Sequence, residues 1–159
     1  LPAALANLTK LQVFVLEQSS ISGTLPPAFG PAWRSIQRFE ISGSDLSGTI
    51  PATYGLWTEM TDFAITQSQL HGKLPLTLRA WNPTRFSIVS SSVSGTLPAE
   101  FGNWTRVTTF RASASALAGT IPPEYSRWPL QIFDVGSNHL SGTLPDGFAR
   151  WTSLVSFNA

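Results

Sequence analysis

His71 and His139 are the only two histidines in the chain, and they are the side chains best suited to hold a metal or move a proton near neutral pH. Each stands alone, in "QLHGKLP" and "SNHLSGTLP". The two lie in the third and sixth copies, three repeats apart, which puts them roughly 14 Å from each other in a stacked coil. That is too far to share one ion, and surface histidines are expected. Serine is abundant, but no serine has a histidine and a carboxylate arranged to activate it, and no G-x-S-x-G elbow occurs. The absence of cysteine excludes thiolate chemistry and disulfides. Glu40 and Asp62 fall on what should be adjacent strands, the pairing a glycosidase needs. Arg38 and Arg85 flank Asp62 in its own column, however, so a neutralising charge ladder accounts for it better. The sequence therefore reads as non-enzymatic, with no cofactor and no metal.

What positions these residues is a repeat. A Leu/Ile-Pro pair ends at Pro2, Pro26, Pro51, Pro75, Pro98, Pro122 and Pro145, at spacings of 24, 25, 24, 23, 24 and 23 residues. The aromatic residues keep the same interval. Trp33, Trp57, Trp81, Trp104, Trp128 and Trp151 form one column, with Leu8 in the first copy. Phe14, Phe39, Phe63, Phe86, Phe110, Phe133 and Phe157 form a second. Phe29, Tyr54, Phe101, Tyr125 and Phe148 form a third, with Leu5 and Leu78. All three columns are expected to face the core, so the tryptophans pack rather than stack on sugars.

Within a copy, Phe133 and Val135 step by two, the period of a strand. Tyr125 and Trp128 step by three, the period of a tight helical turn. From Phe to the next Pro is 12 residues in every copy, whereas length varies on the helical side. A parallel sheet in strict register, with a tolerant helical side, satisfies both facts. The "SGT" or near copy that follows each strand, with its glycine, reads as a tight turn.

These residues carry a resemblance. The pattern L-x-x-F-x-L-x-x-S-x-I/L-S-G-T-L/I-P resembles leucine-rich repeats of the kind found in plant receptor ectodomains. Copies such as "GTLPAEFGNWTRVTTF" look most like those of kinetoplastid surface antigens, the promastigote surface antigen and proteophosphoglycan group. The resemblance implies an α/β repeat solenoid. Its right-handed coil would carry a parallel β-sheet on the concave face and short helical or 3₁₀ segments on the convex side. One array would span 1–159, in repeats 1–24, 25–49, 50–73, 74–96, 97–120 and 121–143 with a partial 144–159, and the chain reads as a fragment of a longer array. The family places asparagine after the strand to satisfy buried backbone. Here Ser19, Ser44, Ser68, Ser91 and Ser115 precede a single Asn138, and serine reaches less far.

Side chains expected on the outward side of the strands differ from copy to copy. They make Arg38, Glu40, Asp62, Arg85, Ser87, Arg111 and Asp134 the candidate ligand-binding residues of a concave face roughly 29 Å across. The partner expected there is a protein or glycan on another cell or host surface. A net charge of +1 with 12% charged residues argues against nucleic acid, and no apolar run is long enough for direct membrane insertion.

Asn7-Leu8-Thr9 and Asn103-Trp104-Thr105 are N-glycosylation sequons, both on the helical side. With the resemblance, they imply an extracellular or cell-surface molecule, lipid-anchored or shed, engaged in adhesion or host contact. A structural spacer without a ligand is the competing expectation. A column of Thr24, Thr49, Thr96, Thr120 and Thr143, interrupted by Lys73, also brings in an ice-binding solenoid as a remote alternative.

Overall fold

The computed structural model describes residues 1–159 and shows a leucine-rich-repeat solenoid. Seven strands form one parallel sheet: β1 (Val13–Glu17), β3 (Arg38–Ser42), β5 (Asp62–Thr66), β7 (Arg85–Val89), β9 (Thr109–Arg111), β11 (Ile132–Asp134) and β13 (Ser156–Asn158). Their register aligns the phenylalanine column across the whole sheet, from Phe14 opposite Phe39 to Phe133 opposite Phe157. Parallel pairing demands this, because a one-residue slip would turn every core ring to the other side.

After each strand the chain enters a second parallel sheet of six strands. These are β2 (Ser22–Thr24), β4 (Asp45–Gly48), β6 (Gln69–Lys73), β8 (Ser92–Gly95), β10 (Ala116–Gly119) and β12 (His139–Leu140). The segment read from sequence as a tight turn is therefore a strand. Its aliphatic residue is buried at Leu46, Leu70, Val93 and Leu117, and copies of two to five residues, most of them three or four, give too little length to establish a period of two. Gly48 at φ +81° ends such a strand. A Cβ there would also meet the Thr24 methyl at 3.0 Å, so glycine serves both the backbone and the stacking.

The return path is a single helical turn per coil. Phe29–Ala32 is α-helical, and Ala3–Asn7, Ala52–Leu56, Leu76–Ala80, Ala99–Asn103, Pro123–Arg127 and Asp146–Arg150 are 3₁₀. A proline precedes each 3₁₀ segment in extended conformation (for example Pro51, φ −65°, ψ 135°). Its missing N–H costs nothing at that place.

Between sheet and helical side lies one continuous core. Phenylalanine rings of neighbouring coils stack at centroid distances of 5.2 to 5.8 Å. Every tryptophan but Trp81, whose coil carries Leu78, stacks on the third-column aromatic of its own coil, as Trp57 does on Tyr54 at 3.8 Å. The indole N–H of Trp57 then donates to the Phe29 carbonyl of the coil before, at 3.2 Å. The same bond recurs from Trp33, Trp81, Trp128 and Trp151. Trp104 alone lacks an acceptor. The tryptophans are core, as their spacing implies. The end copies depart from the pattern: Leu8 is 51% exposed and Phe157 43%, because no coil packs on their outer side.

Candidate binding face

Alternation along each strand divides the seven-stranded sheet in two. Phe39 and Ile41 of β3 point into the core, leaving Arg38, Glu40 and Ser42 on the outer face. In register, three outward columns result. The first runs Arg38, Asp62, Arg85, Thr109, Ile132 and the second Glu40, Ala64, Ser87, Arg111, Asp134. The third begins Ser42, Thr66, Val89.

Two expectations about this face are corrected. The second column is not uniformly exposed: Glu40 is only 8% accessible, and Ser87 and Ala64 are buried. The charge ladder also has a different centre. Arg38 donates from Nη2 to Glu40 Oε2 at 2.7 Å, and Arg85 from Nη2 to Glu40 Oε1 at 2.6 Å. Asp62 forms no ion pair, although Arg38 and Arg85 flank it in register. The reason lies between the partners. Arg85 belongs to a strand two removed from Glu40, and the residue it must cross is Ala64, whose side chain is a single methyl. The two arginines extend over the sheet and shield the column beneath them. Pairing with Glu40, first through the hydrogen bond and then through its charge, raises the Arg38 pKa above its already high ordinary value.

Asp134 and Arg111 are opposite each other in register, yet they do not pair. Asp134 accepts from Ser113 Oγ at 2.8 Å, from Asn158 Nδ2 at 2.9 Å and from the Gly136 N–H at 3.3 Å. Arg111 is exposed and lies with Arg85, Ser87, Thr66, Thr109 and Ile132 around a pocket of about 340 Å³. The face thus gathers Arg38, Glu40 and Arg85 into one cluster, and leaves Arg111 and Asp134 apart. Thr66, Thr109 and Ile132 were not among the candidates. Their column positions were legible, but nothing local marks them as walls of a pocket.

Elsewhere, Asn7 and Asn103 are exposed, each at the end of a 3₁₀ turn. The two histidines lie exposed on β6 and β12 of the second sheet. The threonine column is exposed on that same side, interrupted by Lys73. No helix is long and apolar enough to cross a membrane.

A Leucine Rich Repeat family model matches residues 129–151. No curated protein sequence matches the chain. Among solved structures, the chain is similar to a plant peptide hormone receptor, RGFR1, in complex with RGF2. That likeness has a TM-score of 0.92 and 26% identity, over 96% of this chain and 25% of the receptor. It is also similar to a TDR receptor, at a TM-score of 0.90 and 28% identity, over 99% of this chain and 28% of that one. A plant ice-binding protein shares the fold at a TM-score of 0.85 and 21% identity, over 99% of this chain and 59% of the other. The chain thus spans about a quarter of the receptors it matches.

Proposed function

We propose that the chain is a non-enzymatic recognition module that binds a protein or glycan partner on its seven-stranded face. The observation that carries this reading is the contrast between the two sides of one sheet. Inward positions repeat phenylalanine in every coil, while the outward columns change charge and size at almost every step. A coat element that only needed solubility has no use for a buried acid held by two arginines on that face.

The receptors of similar fold support a protein partner, since one of them is a plant peptide hormone receptor in complex with RGF2. The resemblance of the repeats to kinetoplastid surface antigens extends the reading to an extracellular or cell-surface molecule in host contact, built as one array over 1–159. Glycans at Asn7 and Asn103 would leave the strand face clear.

The test is capture on arrays of extracellular proteins and glycans. The parent chain is compared with an Arg38→Ala/Arg111→Ala variant and with an Arg79→Ala/Arg106→Ala variant of the helical side. Binding lost only in the first variant supports the face. Capture unchanged in it would sink the assignment, and a parent that captures nothing favours the spacer.

A further inference from the structure

The pocket between β7 and β9 has a composition unlike the rest of the face. Its six walls supply two guanidinium groups (Arg85, Arg111), three hydroxyls (Thr66, Ser87, Thr109) and one apolar side chain, Ile132, with no carboxylate among them. The acids nearby are already placed elsewhere. Glu40 takes a single Nη2 bond from Arg85, whose Nε is buried without any acceptor. Asp134, the neighbour of Arg111 in register, is engaged by Ser113, Asn158 and Gly136. Asp62, the neighbour of Arg85 in register, does not line the pocket. Arg111 forms no ion pair at all. Positive charge therefore converges on a cavity in which Arg85 shares Glu40 with Arg38 and Arg111 is left without an acid.

We propose that this pocket binds a phosphate or sulfate monoester carried by the partner, an inference that rests on the strand-face reading above. A carboxylate offers two coplanar oxygens, and one arginine fork satisfies both. Here the open fork of Arg111 and the remaining Nη1 of Arg85, on adjacent strands, are joined by the Ser87 and Thr109 hydroxyls, while the Thr66 hydroxyl already donates to Ser42 Oγ at 3.2 Å. Three oxygens that do not share a plane make use of all of them. Ile132 supplies a wall for the carbon side of the ester, which inorganic anions lack. The size is ample for such a group.

Isothermal titration calorimetry with phenyl phosphate, phenyl sulfate and benzoate at about 0.15 M ionic strength tests the assignment. At least one monoester is expected to bind about tenfold or more tightly than benzoate. Preference for the phosphate identifies a dianion site, and parity of the two esters identifies a site that reads shape. Arg111→Gln is expected to weaken the ester by about tenfold or more, and Arg111→Lys, which keeps charge but not the fork, to weaken it measurably. Arg127→Gln, on the helical side, is expected to change nothing. Benzoate binding as tightly as the esters, sensitivity to Arg127 in place of Arg111, or no ester binding would each overturn the proposal. Ester silence combined with face-dependent capture on the arrays removes only the pocket, whereas silence in both removes the binding face as well.

Discussion

Tyr54 and Tyr125 carry hydroxyl groups into a core column that phenylalanine fills at positions 29, 101 and 148. Each hydroxyl donates to a proline carbonyl of the preceding coil, Tyr54 to Pro26 at 3.3 Å and Tyr125 to Pro98 at 2.9 Å. Burial pushes both phenols far above their ordinary range, with Glu100 and Glu124 adding to the effect at Tyr125. The unfolded chain gives up these protons near pH 10, while the folded chain keeps them. Folding stability is therefore intact below about pH 10 and falls as pH rises beyond it, by about 1.4 kcal/mol per pH unit for each tyrosine. A Tyr54→Phe/Tyr125→Phe variant should lose less stability than the parent between about pH 9 and pH 11.5. Urea denaturation at several alkaline pH values measures it, and equal slopes for the two proteins would exclude the phenols as the cause.

At the scale of one coil, the decisive element is the corner between the two sheets. Gln18, Gly43, Gln67, Ser90, Ala114 and Ser137 all adopt left-handed backbone there, at φ of 43°, 60°, 53°, 54°, 51° and 55°. Only one of the six is glycine, so the sequence gives little sign of this column. A side chain in that conformation costs about 1–2 kcal/mol, and the stacked hydrogen bonds of neighbouring corners offset it, as from Ser44 N–H to the Gln67 carbonyl. Gly43 isolates the backbone contribution, since an added Cβ would meet nothing closer than 3.6 Å. Gly43→Ala should destabilise the chain by about 1 kcal/mol, and Ala114→Gly should stabilise it by less, because glycine also frees the unfolded chain. Chemical denaturation distinguishes this from a corner indifferent to residue type. The side chain that follows each corner obeys the expectation about reach. Asn138 donates to the Ala112, Val135 and Gly136 carbonyls and accepts from the Leu117 N–H, while Ser19 and Ser44 have buried hydroxyls with no partner.

Across the whole molecule coils pack on their immediate neighbours, with the Arg85–Glu40 pair reaching across one coil as the exception, so stability is close to a sum of local interfaces. The middle strands have coils on both sides, and β5 and β7 bury three consecutive residues each. No residue of β1 or β13 is buried. Amide exchange in the 159-residue chain should therefore be slowest in β5 and β7 and fastest in β1 and β13; uniform protection would mean that the array opens as one unit. The period, the three aromatic columns and the seven-stranded sheet were legible in the sequence. Every coil must bury the same rings at the same places, and that demand repeats along the chain whatever the neighbours are. The second sheet, the left-handed corners and the partner of Glu40 were not. Arg85 is 45 residues from Glu40, and whether it reaches depends on the methyl of Ala64 between them. Linear spacing records which residues face the same way, but charge and hydrogen-bond partners are chosen by distance in space, and only the stacked coils set that distance.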